Sequence, residues 1–282
     1  MRIKVIADST CDISPDLLTK YNIRRTPLTI VKGESGFKDG DEITPKEIFD
    51  YVDSGKGVCR TASINISEYS QVYAEEKSNG ADAILHFTMS ALLSAGYANA
   101  VVAAREFENV YPIDTMSLST GAGWLVLYAA ELIEQGIEIT ELVEMCEAKK
   151  MLSDASFVID TLKYMYKGGR CSGIAALGAN MLNLKPCLEL RGGKIEVGKK
   201  YRGNIEKVVR QYIEDRLKGR GDLDLSRAII THTFFNKPEF VESIVQFVRE
   251  LMPFDEVFAT DAGCTISNHC GPGTLGILIY RK

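Results

Sequence analysis

The sequence contains few of the residues that usually carry metal or redox chemistry. Its 282 residues include only 3 histidines, 1 tryptophan and 7 cysteines, an odd number of cysteines with no C-x-x-C pair. A zinc site needs such pairs or histidines at ligand spacing, so no metal site is expected. The cysteines are predicted to be small buried hydrophobic residues in a reducing compartment.

The sequence also lacks a long apolar segment. Its longest apolar run, Trp124 to Ala130, is far shorter than the roughly 20 residues that span a bilayer. The N-terminus, Met1–Asp8, enters a strand-like pattern at once and shows no signal peptide. We therefore expect a cytoplasmic protein without stable membrane insertion.

No strong excess of charge of either sign is present. The net charge is -5, and the basic residues are scattered, which argues against nucleic acid as a partner. With 45% hydrophobic and 25% charged residues, the composition is that of an ordinary globular protein. The length is typical of about two domains.

The first half of the chain alternates between short β-rich runs and helical stretches. Three of these helices have clear start signals, at Ser14-Pro15, at Thr44-Pro45 and at Asn65 with Glu68 three residues later. This alternation predicts a largely parallel, Rossmann-like sheet with flanking helices. The predicted strands are Ile3–Asp8, Thr26–Val31, Ala83–Phe87 and Val110–Asp114.

The pattern changes after a helix predicted from Thr140 to about Ser153. A hairpin turn is indicated at Gly192-Gly193, and helical periodicity returns between Phe240 and Leu251. The expected fold is therefore α/β with two domains, an N-terminal domain of residues 1–155 and a C-terminal mixed α/β domain of residues 156–282. The strands predicted for the second domain are Phe157–Leu162, Cys187–Leu190, Ile195–Val197, Arg227–Thr233, Glu256–Thr260 and Leu275–Tyr280.

A glycine-rich turn near the C-terminus follows one of the three histidines, His269. Its glycines, Gly271, Gly273 and Gly276, match the spacing of a dinucleotide-binding motif, but that motif requires a helix after it. Only a short apolar run, Ile277–Lys282, remains, and it is typical of a closing strand. A nucleotide cofactor is therefore not expected, and the glycines are interpreted as allowing the backbone and His269 to approach a ligand closely.

Hydroxyl groups follow several predicted strands and precede two predicted helices. Thr61 and Ser63 come before the helix capped by Asn65, and Ser94 opens another helix. Hydroxyls and free N–H groups that converge in this way favour a carboxylate or a phosphate. The other segments of this kind are 8–12, 88–90 and 114–117.

Simpler interpretations exist for most of these residues. Thr61 or Ser94, taken alone, is typical of a helix cap. Asp8 and Asp12 also fit a metal-dependent phosphatase, but a turn-forming Asp8 followed by a helix-capping Asp12 is favoured.

The histidines and arginines have similar alternatives. His86 and His232 are expected to be buried, hydrogen-bonded core residues. Arg170 follows two glycines and precedes an apolar helix predicted over 172–177, a position that anions favour, or it is a surface residue after a glycine cap. For Arg202, the alternative interpretation as a solvated charge at the end of a strand is favoured more strongly than for Arg170. A serine esterase is disfavoured because no G-x-S-x-G elbow is present.

Four sequence blocks follow one another along the chain: Ala7–Asp12, Asp114-Thr115 with Ser119–Gly123, Leu162–Tyr164 with Lys167–Arg170, and His269–Gly276. Together they resemble the DegV family of fatty-acid-binding proteins, bacterial carriers that present acyl chains to a fatty acid kinase. The resemblance spans the whole chain. Two further blocks depart from the family's Thr-Ser-Gln-Pro-Ser and Leu-Ser-Gly-Thr-Tyr, because this chain has Thr61-Ala62-Ser63-Ile64-Asn65 and Leu93-Ser94-Ala95-Gly96-Tyr97.

The resemblance implies a function and a set of site residues. It implies a carrier without catalytic residues or cofactor that holds a long-chain fatty acid in an apolar tunnel between its domains and presents the carboxylate to a partner kinase. Thr61 and Ser94 match positions that hydrogen-bond the carboxylate, with His269 close to the head group. Arg170 and Arg202 match positions implicated in engaging the kinase or the acyl-phosphate. The ligand-binding residues expected for this chain are Thr61, Ser63, Ser94, His269 and Gly271.

Two other classes of function stay open. An enzyme that acts on an acyl-phosphate or an ester, using His269 and Arg170, would also account for a histidine on a glycine turn. A purely structural or interaction protein is the third class, and it leaves the glycine and hydroxyl clusters unexplained.

Overall fold

The computed structural model describes residues 1–171 and 184–282 and shows a two-domain α/β fold. The strands are β1 Ile3–Asp8, β2 Arg24–Thr26, β3 Thr29–Lys32, β4 Ser35–Lys38, β5 Arg60–Ala62, β6 Ala83–Thr88, β7 Val110–Asp114, β8 Ser153–Val158, β9 Leu184–Arg191, β10 Lys194–Arg202, β11 Arg227–His232, β12 Glu256–Asp261 and β13 Leu275–Tyr280. The helices are α1 Pro15–Lys20, α2 Pro45–Asp53, α3 Ile66–Ser78, α4 Gly96–Ala104, α5 Ser119–Glu134, α6 Ile139–Lys150, α7 Lys163–Gly168, α8 Ile205–Leu217, α9 Pro238–Leu251 and α10 Cys264–Cys270, with a short 3-10 helix at Ser9–Cys11.

The N-terminal sheet is parallel, with strand order β2-β1-β6-β7, which confirms the Rossmann-like prediction. The single strand predicted over Thr26–Val31 is wrong. The chain divides there into β2, in the parallel sheet, and β3, in a separate antiparallel sheet of order β4-β3-β5. Pro27 lies at the break, and its missing N–H removes a ladder hydrogen bond.

The C-terminal sheet is mixed, with strand order β10-β9-β8-β13-β11-β12. The predicted hairpin turn is confirmed, since Gly192 (φ 54°) and Gly193 (φ 80°) connect the antiparallel strands β9 and β10. The predicted strand over Phe157–Leu162 starts too late, because β8 pairs with β13 from Ser153 onward, and α6 accordingly ends at Lys150.

The division between the two domains stays a proposal. The predicted boundary, residue 155, lies inside β8, and all of β8 belongs to the C-terminal sheet. We propose that the link between α6 and β8 is the better dividing point, because domain boundaries usually fall in connecting segments.

Helix α5 contributes to the core between the two large sheets. It contacts β1 and β6 of the parallel sheet and β11 and β13 of the mixed sheet. The ring of Trp124 stacks on Tyr280 with centroids 4.1 Å apart, and the Tyr280 hydroxyl donates to Gly121 O at 2.8 Å. A helix buried on most sides is hydrophobic around its circumference, which explains why the longest apolar run lies here. Within residues 1–171 and 184–282, α5 and all the other helices are too short or too polar to cross a bilayer.

The predicted helix start signals are confirmed. The Ser14 side chain accepts a hydrogen bond from Leu17 N at the start of α1. Thr44 and Asn65 both form complete capping boxes with the glutamate three residues later. All seven cysteines are buried, as the sequence predicts.

Candidate functional site

A cavity of about 300 Å³ lies where β5 and the start of α4 face α7, β8, β10 and α10. Its walls therefore come from both halves of the chain. Its apolar lining includes Met89, Leu118, Phe157, Met165, Ile195 and Ile266. Its polar lining consists of Thr61, Ser63, Ser94, Arg170, Thr265 and His269.

His269 and Thr61 form the polar contact at this cavity. Helix α10 carries the imidazole and β5 carries the hydroxyl, and Nε2 of His269 lies 3.0 Å from Oγ1 of Thr61. The other ring nitrogen, Nδ1, is buried and has no hydrogen-bond partner among the described residues. Burial, and after it the positive charge of Arg170, lowers the pKa of His269 to about 4, so the ring is neutral at neutral pH.

The glycines near His269 are required by close approach between α10 and α7. A Cβ atom at Gly168 would lie 2.3 Å from Nδ1 of His269, and one at Gly271 would lie 2.5 Å from the ring of Tyr164. Gly271 also has a φ of 78°, which disfavours other residues. The sequence predicts that Gly271 binds a ligand, but in the described part of the chain it packs against Tyr164 and does not line the cavity.

Ser94 lies directly before Ala95, the N-cap residue of α4. Its Oγ accepts a hydrogen bond from Gly96 N at 3.2 Å, at the first residue of α4, and its side chain lines the cavity. The accepted bond leaves the hydroxyl hydrogen available for a ligand. Thr61 is not a helix cap, because Asn65 caps α3. Ile64, which replaces the proline of the family pattern, is buried in the core at 5% exposure and does not line the cavity.

The two arginines lie in different surroundings. Arg170 lines the cavity, is exposed, and donates from Nη1 to Gly168 O at 2.8 Å. Arg202 ends β10 as an exposed residue, and the described structure does not bring it to the cavity. The helix predicted over 172–177 lies outside the described residues.

The other two histidines differ from each other. His86 is buried and hydrogen-bonded as predicted, since Nδ1 lies 2.6 Å from the Tyr73 hydroxyl and Nε2 lies 3.1 Å from Asp8 Oδ1. His232 is buried, but its Nδ1 has no hydrogen-bond partner in the described residues and lies 3.6 Å from Asp261 Oδ1. Burial lowers the pKa of His232. The prediction of a hydrogen-bonded core histidine is therefore wrong for Nδ1 of His232.

Asp12 does not have its predicted role as the cap of the following helix. Ser14 caps α1 instead, and Asp12 adopts a left-handed conformation with φ 49°. Its Oδ1 accepts a hydrogen bond from Gly263 N at 2.9 Å, directly before α10. A contact across 251 residues leaves no local sequence signal, so sequence patterns could not have found it.

A second, smaller cavity of about 20 Å³ adjoins the first. Leu118, Phe157, Ile266 and Cys270 line both spaces and form the wall between them. The smaller cavity has further apolar lining from Ala262 and Leu278. The apolar lining thus continues past Phe157 into the core.

Comparisons with known proteins identify a family and similar structures. The model of the DegV family, described as an uncharacterised protein family, matches residues 2–282. A DegV family protein from Thermus thermophilus, described as binding fatty acid, has a similar structure, with a TM-score of 0.89 and 32% identity over 100% of both chains. A DegV lipid binding protein from Thermotoga maritima is similar with a TM-score of 0.87 and 26% identity, again over 100% of both chains.

Curated relatives give the same result at the level of sequence. A fatty acid-binding protein of Thermotoga maritima is 29% identical over 285 residues, which covers 98% of this chain and 96% of the relative. A DegV domain-containing protein of Streptomyces coelicolor is 30% identical over 284 residues, 99% of each chain. Because the DegV family model matches nearly the full length of this chain, the chain belongs to the DegV family.

Proposed function

We propose that the protein binds a long-chain fatty acid in the 300 Å³ cavity, with the carboxylate at Thr61, Ser94 and His269. The observation that carries this proposal is the placement of these three side chains on the wall of one largely apolar space. Similar proteins described as binding fatty acids or lipids support it. Ser63 lines the same cavity and is available as a further donor.

The head group would be held by neutral donors. An orphan N–H inside a protein is costlier than an orphan acceptor, so the proton of His269 belongs on Nε2, where it donates to Thr61 Oγ1. The Thr61 hydroxyl is then left to donate to the carboxylate. Hydrogen bonds to a charged group contribute about 1.5–3 kcal/mol each, so two hydroxyls orient the acid without a buried ion pair.

The apolar walls would supply most of the affinity. Each buried methylene contributes about 0.8 kcal/mol, so a long tail gains more from burial than its head gains from hydrogen bonds. A volume of about 300 Å³ is at the lower end of the range for ligand cavities. The tail would run from the hydroxyls toward Phe157, where the smaller cavity begins.

A carrier fits this site better than the alternative enzyme that uses His269 and Arg170. A base that activates a hydroxyl needs a pKa near neutrality and a third group that orients its ring. The pKa of His269 is about 4, and its Nδ1 has no carboxylate partner within the described residues. The Thr61–His269 pair therefore suits binding rather than nucleophilic attack.

The second part of the proposal is that the protein presents the bound fatty acid to a partner kinase. Arg170 lies at the cavity and is exposed, so it can meet a phosphate oxygen as the carboxylate is phosphorylated by a partner. Arg202 is exposed as well but is not among the residues that line the cavity, so we propose that it contacts the partner protein rather than the carboxylate.

The test combines mass spectrometry with titration. Protein purified without added lipid should retain a long-chain fatty acid, and after its removal a fluorescent polyene fatty acid should rebind. Ser94→Ala and Thr61→Val should each weaken binding about tenfold, because each removes one donor to a charged group. Ser67→Ala, an exposed serine on α3, is the matched control and should bind as the wild type does.

Two results would contradict the proposal. One is the retention of a polar metabolite instead of a lipid. The other is an affinity that Ser94→Ala and Thr61→Val leave unchanged. Turnover of an acyl-phosphate by the isolated protein, lost in His269→Ala, would favour the enzyme instead.

A further inference from the structure

The first backbone N–H groups of α10 are capped by aspartate side chains that lie far away in the sequence. Asp39, in the segment between β4 and α2, reaches Cys264 and Thr265, and Asp12, beside the 3-10 helix, reaches Gly263. Helix α10 has no side-chain cap of its own, because its N-cap residue is Gly263. Two acids from the N-terminal half therefore do the capping that the helix lacks.

Asp39 is saturated with donors. Its Oδ1 accepts from Cys264 N at 2.9 Å, and its Oδ2 accepts from Thr265 N at 3.1 Å and from the Thr265 hydroxyl at 2.6 Å. The Ser9 hydroxyl donates to the same Oδ2 at 3.0 Å. With only 1% of its surface exposed, this side chain has no water to replace a lost donor.

Asp12 binds the backbone N–H of Gly263, the residue directly before those that Asp39 binds. Its Oδ1 accepts from Gly263 N, and its Oδ2 accepts from the Ser119 hydroxyl at 2.6 Å, at the start of α5. A Cβ atom at Gly263 would lie 2.8 Å from Oδ1 of Asp12 and 3.7 Å from Oδ1 of Asp39. Glycine is thus the residue that lets both carboxyl groups reach the end of the helix.

The same short helix carries the histidine of the binding cavity. Thr265 donates to Asp39 and also lines the cavity, and His269 follows one turn later. The hydrogen bond from His269 to Thr61 joins α10 to β5. Strand β5 pairs with β3 in the three-stranded sheet, and Asp39 directly follows β4 of the same sheet. An axial shift or a rotation of α10 would open the gap of 3.0 Å between the two side chains.

We propose that Asp39, assisted by Asp12, is a positioning residue that fixes α10 against the N-terminal half so that His269 reaches Thr61. This positioning role rests on the proposed fatty acid binding only where it predicts a change in fatty acid affinity. Asp39 does not touch the ligand and acts through the helix. Burial raises the pKa of Asp12 to about 8, so at neutral pH this second carboxyl group adds little negative charge beside Asp39.

The experiment follows the histidine rings by NMR in protein labelled with ¹⁵N-histidine. In Asp39→Asn, the amide group can no longer accept on both of its polar atoms, so α10 loosens. The His269 ring signals should move, and the titration midpoint of the ring should rise by about one pH unit or more as water reaches it. The signals of His86 should stay in place, because both of its nitrogens are bonded elsewhere.

Two further variants make the result decisive. Asp41→Asn is the matched control, because Asp41 lies two residues from Asp39, is exposed and pairs with Arg25; its His269 signals should equal those of the wild type. Thr265→Val removes one donor to Asp39 and should shift the His269 signals less, which keeps the test valid if Asp39→Asn does not fold.

The outcomes separate this inference from the proposed function. Folded Asp39→Asn and Thr265→Val proteins with unchanged His269 signals would overturn the positioning role. Shifted signals with a fatty acid affinity reduced about tenfold would support both proposals. Shifted signals in a protein whose wild type binds no fatty acid would support the positioning role and reject the fatty acid as the ligand.

Discussion

Two buried polar clusters in this molecule use the same kinds of side chain in opposite ways. Around Asp8, the carboxylate accepts hydrogen bonds from Thr26, Tyr69 and His86, and Tyr73 bonds the remaining nitrogen of His86. The acid is 2% exposed and His86 is 0% exposed. In this cluster both nitrogens of the histidine have a partner.

Around His269 the bonding is incomplete. Nε2 contacts Thr61, Nδ1 has no partner among the described residues, and the hydroxyl of Ser94 accepts without a donor role in the described structure. This cluster faces a cavity, whereas the Asp8 cluster faces packed core. Buried polar groups are normally satisfied, so unused bonding capacity beside a cavity is the feature that distinguishes the proposed ligand site from the packed core.

The largest expected effect is on stability, at the fully hydrogen-bonded cluster around Asp8. Asp8→Ala removes the acceptor of three buried donors and should lower the free energy of unfolding by about 3–5 kcal/mol. His269→Ala, which removes one hydrogen bond, should cost about 1 kcal/mol. Urea unfolding of both variants measures the difference, and equal costs would remove the contrast between the clusters.

An intermediate effect, on fatty acid affinity, is expected where α7 contacts the cluster around His269. Gly168→Ala puts a Cβ atom within 2.3 Å of Nδ1 of His269 and should displace the ring from Thr61. Fatty acid affinity should fall about tenfold, as for Thr61→Val, because the displaced ring no longer orients the Thr61 hydroxyl toward the carboxylate. Titration with the fluorescent fatty acid measures it.

A neighbouring glycine provides the control for that substitution. Gly169 has a φ of 65° and no atom within 4 Å of an added Cβ, so Gly169→Ala should cost about 1–2 kcal/mol of stability through backbone strain and leave affinity unchanged. Equal affinity losses in the two variants would show that the position of the ring does not control binding.

The smallest expected effect is a change in how stability depends on pH. The folded pKa of His269 is about 4, below the unfolded value near 6.5, so the unfolded state binds more protons between these values. Stability from this group is therefore fully present above about pH 6.5 and falls as the pH drops toward 4. His269→Gln should lessen this fall by about 1–2 kcal/mol.

Unfolding titrations at about pH 7 and about pH 4.5 compare the two proteins. His232, whose pKa is also lowered by burial, keeps part of the slope in both of them. Identical slopes in the wild type and in His269→Gln would contradict a neutral, buried His269.

Local signals in the sequence were sufficient for much of the fold. The caps at Ser14, Thr44 and Asn65 depend on contacts within one helical turn, so a short stretch of sequence determines them. The parallel strands of the N-terminal sheet and the glycine hairpin between β9 and β10 were predicted for the same reason. Thr61, Ser94 and His269 were selected by motif resemblance, and the structure places them on one cavity.

Other features depended on contacts between distant residues. The division of 26–31 between two sheets, the early start of β8 and the burial of α5 between sheets each depend on a partner from elsewhere in the chain. The same holds for Gly271, whose place in a glycine-rich turn is evident from the sequence but whose neighbour, Tyr164, is not.

The sequence by itself determined where helices start, which strands alternate with helices, and that a glycine-rich turn follows His269. Tertiary structure alone decided that Asp39 caps a helix 225 residues away, that Asp12 joins it, and that one histidine is enclosed while another is left with a free ring nitrogen among the described residues. The physical reason is that helix caps and turns are completed within a few residues. Burial and long-range hydrogen bonds arise only when separate segments exclude water between them.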